Sequence, residues 1–278
     1  MITVPAETAK MMQLETGDDV AISYDPMNKQ MIVNKLVSKT REQKEGEEIM
    51  KILVETMAYF EKGHYKLASL RHSDRYLFVR LALSYEDKRA RIAHILTRYF
   101  EEDDIDIVAT FTVGGALLGR EVAKLLGAKF VVGKKIEREV IFVNVHQIKK
   151  GDNVLLVDDV LTTGGSITQA MKTIRSLNKG AIKGVGVVVD RSKGNSNLGV
   201  KTVGLIKLDL TQYDEKVCPM CQEGSRPLDL SRVESDRDAA LRSLYEEGRG
   251  IMAKGFDEYD EMLENAEKEV STQSEVRS

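Results

Sequence analysis

The sequence predicts an α/β fold: a mostly parallel sheet flanked by helices, with a small N-terminal β-rich unit before it and a helical, acidic tail after it. Three observations carry this reading. Apolar runs at Tyr76–Leu83, Ile105–Phe111, Lys129–Val132, Asn153–Val157, Gly184–Val189 and Thr202–Leu208 alternate with helical patterns at 86–100, 115–126 and 166–178. Such βαβ alternation is the mark of parallel strands covered on both faces. The chain of 278 residues is 42% hydrophobic and 31% charged, so it is globular, and at this length roughly 70–75% of the extended-chain surface can be buried. Outside residues 39–230 the pattern changes character at both ends.

Taken in order, residues 1–38 read as β-rich. Ile2-Thr3-Val4 is a short strand, Pro5 to Leu14 fits one or two helical turns, and Glu15-Thr16-Gly17-Asp18 is turn chemistry. Val20-Ala21-Ile22-Ser23-Tyr24 and Met31-Ile32-Val33 flank Asp25 to Gln30 as a hairpin. Residues 39–60 are a charged linker passing into a helix with apolar positions Ile49, Ile52, Leu53, Met57 and Phe60. The α/β domain extends to 230. Residues 231–278 have apolar side chains at helical spacing interrupted by Gly248, Gly250 and Gly255, and hold 13 acidic against 7 basic residues. They read as one or two amphipathic helices.

Composition excludes several classes. No stretch approaches the eighteen apolar residues of a membrane span, and Met1-Ile2-Thr3-Val4-Pro5 lacks the features of a signal peptide. A cytoplasmic protein with no membrane partner is expected. Two cysteines, Cys218 and Cys221, exclude a disulfide scaffold and a four-cysteine zinc site. Nothing in the chain is a polybasic nucleic-acid footprint.

The informative stretch is Val154-Leu155-Leu156-Val157-Asp158-Asp159-Val160-Leu161-Thr162-Thr163-Gly164-Gly165-Ser166. A buried strand delivers two adjacent carboxylates to the carboxyl edge of the sheet, where ligands of open α/β sheets sit. Thr-Thr-Gly-Gly-Ser then opens a helix whose glycines, hydroxyls and free N–H groups suit a phosphate. Carboxylates beside a phosphate cradle point to a sugar phosphate, the acids holding ribose hydroxyls directly or through Mg²⁺. A P-loop is disfavoured, because no Gly-Lys-Ser/Thr ends the loop.

This stretch resembles the 5-phosphoribosyl-1-pyrophosphate (PRPP) signature of type I phosphoribosyltransferases. Three further stretches are similar to orotate phosphoribosyltransferases in particular. Gly63-His64-Tyr65-Lys66-Leu67-Ala68-Ser69-Leu70-Arg71-His72-Ser73-Asp74-Arg75-Tyr76 resembles that family's substrate segment, with Ala68 where a lysine is common and Leu70 where a glycine is usual. Thr110-Phe111-Thr112-Val113-Gly114-Gly115-Ala116 falls where the pyrophosphate loop belongs, and Val187-Val188-Val189-Asp190-Arg191 resembles the strand end whose arginine meets the orotate carboxylate. The resemblance implies a type I phosphoribosyltransferase-like fold and Mg²⁺-dependent transfer from PRPP to a nucleobase, with orotate favoured. It implies that Asp158 and Asp159 hold the ribose and Thr162, Thr163, Gly164, Gly165 and Ser166 the 5-phosphate. Thr112, Val113, Gly114 and Gly115 take the pyrophosphate, and Thr162, Arg191, Ser69 and Arg71 the acceptor. Lys134 and Lys135 stand for the family's mobile basic loop, shortened here to Lys134-Lys135-Ile136-Glu137-Arg138-Glu139.

Plainer readings stand beside these. Gly114-Gly115 alone could serve helix packing, and Arg191 could be a surface ion-pair former. His64, His72, His94 and His146 are scattered; none is assigned to a metal, and only His72 is kept, as part of the substrate segment. Cys218-Pro219-Met220-Cys221 suits zinc shared across an oligomer or redox chemistry, but with no second cysteine pair it reads as a turn.

Residues 1–38 resemble the swapped-hairpin domains of AbrB-type regulators at Ile2-Thr3-Val4-Pro5 and Leu14-Glu15-Thr16-Gly17-Asp18-Asp19-Val20. That resemblance implies a homodimer or higher homo-oligomer, and it raises an alternative: a PRPP- or nucleotide-sensing transcription regulator with an N-terminal DNA-binding unit. Charge disfavours DNA as a partner. Residues 1–38 hold Glu7, Glu15, Asp18, Asp19 and Asp25 against Lys10, Lys29 and Lys35, whereas duplex affinity rests on Lys/Arg neutralisation of phosphates.

Overall fold

A computed structural model describes residues 19–36, 39–67, 69–136, 139–144, 147–176 and 180–229, with isolated positions 7, 10, 261, 262, 264, 265 and 268. The expected strand at Ile2-Thr3-Val4, the turn at 15–18 and most of the acidic tail lie outside the described residues. The chain forms two compact units, Met1–Glu45 and Gly46–Ser278. In the first, β1 (Asp19–Asp25) pairs antiparallel with β2 (Gln30–Leu36) from Asp19 opposite Leu36 to Asp25 opposite Gln30. That is the expected hairpin, closed by Pro26-Met27-Asn28-Lys29 with Lys29 at φ 51°.

Helix α1 (Arg41–Glu55) starts where Thr40 and Gln43 satisfy each other, the Gln43 N–H donating to Thr40 Oγ1 and the Thr40 N–H to Gln43 Oε1. Two small antiparallel pairs follow: β3 (Tyr59–Phe60) with β6 (Tyr76–Leu77), and β4 (Tyr65–Lys66) with β5 (His72–Ser73). The apolar run expected as a strand over Tyr76–Leu83 is instead β6 and a short helix, α2 (Val79–Leu83). Val79, Leu81, Ala82 and Leu83 are all buried, and a short run buried on every side carries no period to tell helix from strand.

The main sheet is built from β7 (Ile107–Thr110), β8 (Lys129–Ile136), β9 (Glu139–Phe142), β10 (Asn153–Leu161), β11 (Ala181–Asp190) and β12 (Lys201–Lys207), in the order β12-β11-β10-β7-β8-β9. Every pairing is parallel except β8 with β9. The intervening helices are α3 (Glu86–Thr97), α4 (Val113–Leu126) and α5 (Gly165–Ser176). Lys134-Lys135-Ile136, expected in a loop, prolongs β8 and pairs with β9 as a hairpin; Glu137 and Arg138 lie outside the described residues.

Along β10, Leu155 and Val157 enter one buried cluster with Ile92, Leu96, Phe100 and Leu118, while Val154 and Leu156 enter another with Ile167, Met171 and Ile174. Alternate residues thus feed opposite faces, both apolar, as a doubly covered parallel strand requires. On β11, Gly184 and Gly186 make room for the end of α3: a Cβ at Gly184 would lie 2.6 Å from Phe100 Cε1, and one at Gly186 3.2 Å from Leu96 Cδ1. Phe100 is fully buried over this gap. Phe100→Ala is expected to cost about 3–5 kcal/mol, because a cavity opens between helix and sheet. Urea unfolding measures it, and a loss below about 1 kcal/mol would contradict this packing.

Candidate active site

Strand order reverses between β7 and β10: the chain runs from β7 to β8 and β9 on one side, then returns to β10, β11 and β12 on the other. The crevice at such a switch point, at the carboxyl ends of the strands, is where an open α/β sheet leaves space for a ligand. Asp158 and Asp159 lie there near the end of β10, and Thr112 to Gly115 lie opposite, where β7 passes into α4.

The two loops are locked together. Thr112 caps α4, its Oγ1 accepting the Gly115 N–H at 2.9 Å while its hydroxyl donates to Asp158 Oδ1 at 2.5 Å. The same Oδ1 accepts the Asp159 N–H at 2.9 Å. Glycine is demanded at both following positions by contact, not by torsion. A Cβ on Gly114 would overlap the Asp159 carboxylate, and one on Gly115 would lie 2.8 Å from Thr112 Oγ1 and 2.9 Å from the Val157 carbonyl oxygen. The plain packing reading of Gly114-Gly115 therefore holds, but what the glycines pack against is the acid pair.

Past β10, Thr162 and Thr163 are exposed, Gly164 turns the chain at φ 77° and α5 begins at Gly165. The first amides of any helix lack intrahelical acceptors, so this turn has N–H groups and hydroxyls to offer an anion. Lys135 reaches it from the β8–β9 hairpin, its Nζ donating to Ser166 Oγ at 2.8 Å. Lys134 is the next position along β8 and so faces the other side of the strand. Of the two lysines, Lys135 is the one hydrogen-bonded to the turn at Ser166.

Arg191 follows β11, beside β10, with its N–H donating to the Leu161 carbonyl. Its Nε is buried and has no partner among the described residues. Burial holds the guanidinium below its ordinary pKa, opposed by the Asp209 charge. Asp209 pairs with Lys193 at 2.6 Å, and its carbonyl accepts from Arg75 Nη1 at 3.2 Å. Ser73 Oγ donates to the Thr211 carbonyl. The segment 72–75 is thereby held against the chain that leaves β12. Ser69 and Arg71 occupy the exposed turn between β4 and β5, and among the described residues neither side chain is hydrogen-bonded to the 158–166 loop.

Burial first, then the Asp159 charge, pushes the Asp158 carboxyl well above its ordinary pKa. No cation faces it: among the described residues no ion pair reaches Asp158 or Asp159. Two adjacent carboxylates with hard oxygen donors and no cationic partner fit a divalent metal or a polyol.

Comparison with known proteins gives the following. The family model described as phosphoribosyl transferase domain matches residues 83–205. An orotate phosphoribosyltransferase of Desulforamulus reducens is 35% identical over 178 residues, 64% of this chain and 92% of the relative. One from a Thermoanaerobacter species is 36% identical over 180 residues, 65% of this chain and 94% of the relative. The crystal structure of orotate phosphoribosyltransferase from Aeropyrum pernix is 24% identical, covers 58% of this chain and 93% of its own, and superposes with a TM-score of 0.49.

A carboxyl with a folded pKa raised above its unfolded value contributes stability that is full below the unfolded pKa and lost as pH rises through the folded one. Asp158→Asn keeps the acceptor for Thr112 and removes the titration. The variant without ligand should therefore lose less stability than wild type as pH rises from about 4, the ordinary carboxylate value, and melt higher at the upper end of the range. Parallel melting curves for the two proteins across that range would contradict the assignment of a strained acid.

Proposed function

This chain belongs to the orotate phosphoribosyltransferase family, and from that premise we propose that it transfers the phosphoribosyl group of PRPP to a ring nitrogen of orotate, releasing pyrophosphate and forming orotidine 5'-phosphate for pyrimidine nucleotide synthesis. The observation that carries the reading is the meeting of the Asp158–Asp159 pair with the Thr112–Gly115 turn across the β7–β10 crevice.

In this reading the 162–166 turn holds the 5-phosphate and fixes one end of the substrate. Asp158 and Asp159 accept hydrogen bonds from the ribose hydroxyls, and Thr112 keeps Asp158 aimed through its own hydroxyl. The amides at the start of α4 face the pyrophosphate, whose departure leaves positive charge at the anomeric carbon. Fixed carboxylates near that carbon and fixed N–H groups near the leaving group are pre-set for the charges that develop. Lys135, already at Ser166, adds a mobile cation over the phosphates. Mg²⁺, when bound with PRPP, would be held near Asp158 and Asp159 and would neutralise pyrophosphate charge. Arg191 offers a buried N–H, unpartnered among the described residues, to the acceptor, which suits a carboxylate clamped in plane.

The acidic character of residues 1–38 supports a role for the hairpin unit in homodimer or higher assembly rather than on DNA, in a cytoplasmic enzyme. Among the described residues no helix is long and apolar enough to cross a membrane.

Mixing the protein with PRPP, Mg²⁺ and single bases should release pyrophosphate with orotate and not with uracil, adenine or hypoxanthine. A charge-assisted clamp contributes about 1.5–3 kcal/mol, so Arg191→Ala should lower kcat/KM for orotate about ten- to a hundredfold and leave PRPP affinity in place. Arg191→Lys should restore part of the loss, keeping the charge without the fork. Turnover of a purine with none of orotate, or unchanged orotate kinetics in Arg191→Ala, would overturn the acceptor.

A further inference from the structure

Four side chains that the reaction does not use converge at one point: His64 just before β4, His72 on β5, and Cys218 and Cys221 around the short helix α6 (Pro219–Gln222). One ligating atom from each lies within 4.8 Å of all the others. We propose that these four residues bind a structural zinc ion.

The distances match the ion. With Zn–N near 2.05 Å and Zn–S near 2.3 Å, a tetrahedron has edges of roughly 3.3 Å between nitrogens and roughly 3.6 Å between nitrogen and sulfur. Here His64 Nε2 and His72 Nδ1 are 3.1 Å apart, Cys218 Sγ lies 3.6 Å and Cys221 Sγ 3.7 Å from His64 Nε2, and Cys221 Sγ is 3.3 Å from His72 Nδ1. Burial agrees as well. His64, His72 and Cys218 are buried and Cys221 is partly so, and both thiols are free of any disulfide. Two imidazoles and two thiolates, three of the four residues buried, fill a tetrahedral set and leave no position for a substrate, which makes a structural site, and the S₂N₂ set selects zinc over the hard cation used with PRPP.

The surroundings are those of a metal site. The other ring nitrogen of His64, Nδ1, lies 3.2 Å from Ser225 Oγ, an outer partner that fixes the ring with Nε2 turned inward. The spacing C-x-x-C places both thiols on one side of a single helical turn, with Pro219 at its start. The Cys218-Pro219-Met220-Cys221 segment, expected as a plain turn, is a short helix whose two thiols lie against His64 and His72. The second pair it lacked is not cysteine but His64 and His72, more than 140 positions earlier in the chain.

The ion would clip together two distant segments already in register. The Leu228 N–H donates to the His64 carbonyl, the Lys66 N–H to Leu228, and His72 and Tyr213 exchange both backbone bonds. Residues 64–73 form only two-residue strands, far too short to hold position by pairing alone. Four metal bonds supply what the ladder does not.

The test is metal analysis of the full chain purified in reducing buffer from zinc-supplemented cells. About one zinc per chain is expected, falling at least about tenfold in Cys218→Ser/Cys221→Ser. Because that variant could misfold, the wild-type protein is also stripped and titrated with Co²⁺. Tetrahedral thiolate ligation should give visible d–d absorption and a thiolate charge-transfer band, both abolished by stoichiometric Zn²⁺ and untouched by Mg²⁺. Stripping should also speed amide exchange at Lys66, His72, Tyr213 and Leu228, with β7 and β10 unaffected. Wild-type protein with negligible zinc and no cobalt–thiolate band, or zinc retained by the double serine variant, would overturn the proposal.

Discussion

The first turn of α4 lies so close to the end of β10 that Gly114 and Gly115 have no room for a side chain, and that close approach sets the chemistry of the crevice. Gly114 and Gly115 let the first turn of α4 come against Asp158 and Asp159. Thr112 then links the two loops, accepting from Gly115 and donating to Asp158. One hydroxyl therefore caps a helix and orients an acid. The arrangement is unfavourable in the free protein, since burial and a neighbouring charge both oppose ionisation of Asp158. Such opposition is relieved by a ligand that brings hydroxyls and cations, so the cost in stability and the ability to bind have a common origin.

The rest of the molecule holds that crevice and ties the 64–77 segment to the strand ends. β10 feeds apolar side chains to both faces of the sheet, which fixes its register and hence the height at which the carboxylates emerge. Gly184 and Gly186 admit Leu96 and Phe100 against β11, whose end carries Arg191. From there Lys193, Asp209 and Arg75 connect the strand ends to the 64–77 segment. That segment owes little to its own short strands and much to its backbone bonds with residues 211–228 and to the histidine–cysteine cluster.

The main sheet and the acid pair were legible in the sequence because their information is contiguous. Val154 to Ser166 contains strand, carboxylates, glycine turn and helix start in one run, and each has a local physical signature. Val79–Leu83 was misread because residues buried on all sides carry no periodicity. Lys134 and Lys135 could be placed near the phosphates by resemblance, but only the β8–β9 register separates the one that reaches Ser166 from the one that faces away. The four convergent ligands were invisible for another reason. Each pair is too small to bind a metal by itself, and only the pairing of Tyr65 with Leu228 and His72 with Tyr213 brings the pairs together. A CxxC accompanied by two histidines eight residues apart was the available signal.

The central claim is that the Asp158–Asp159 pair is the ribose end of a PRPP site. Calorimetric titration of PRPP with Mg²⁺ into wild type and Asp158→Asn/Asp159→Asn tests it without reference to the acceptor. Asparagine preserves shape and the Thr112 contact, so the circular dichroism and thermal transition should remain those of a folded protein. The affinity for PRPP should fall by at least about tenfold, the loss of roughly one strong charge-assisted interaction. Unchanged affinity in a folded double variant would place the PRPP site elsewhere and contradict the account.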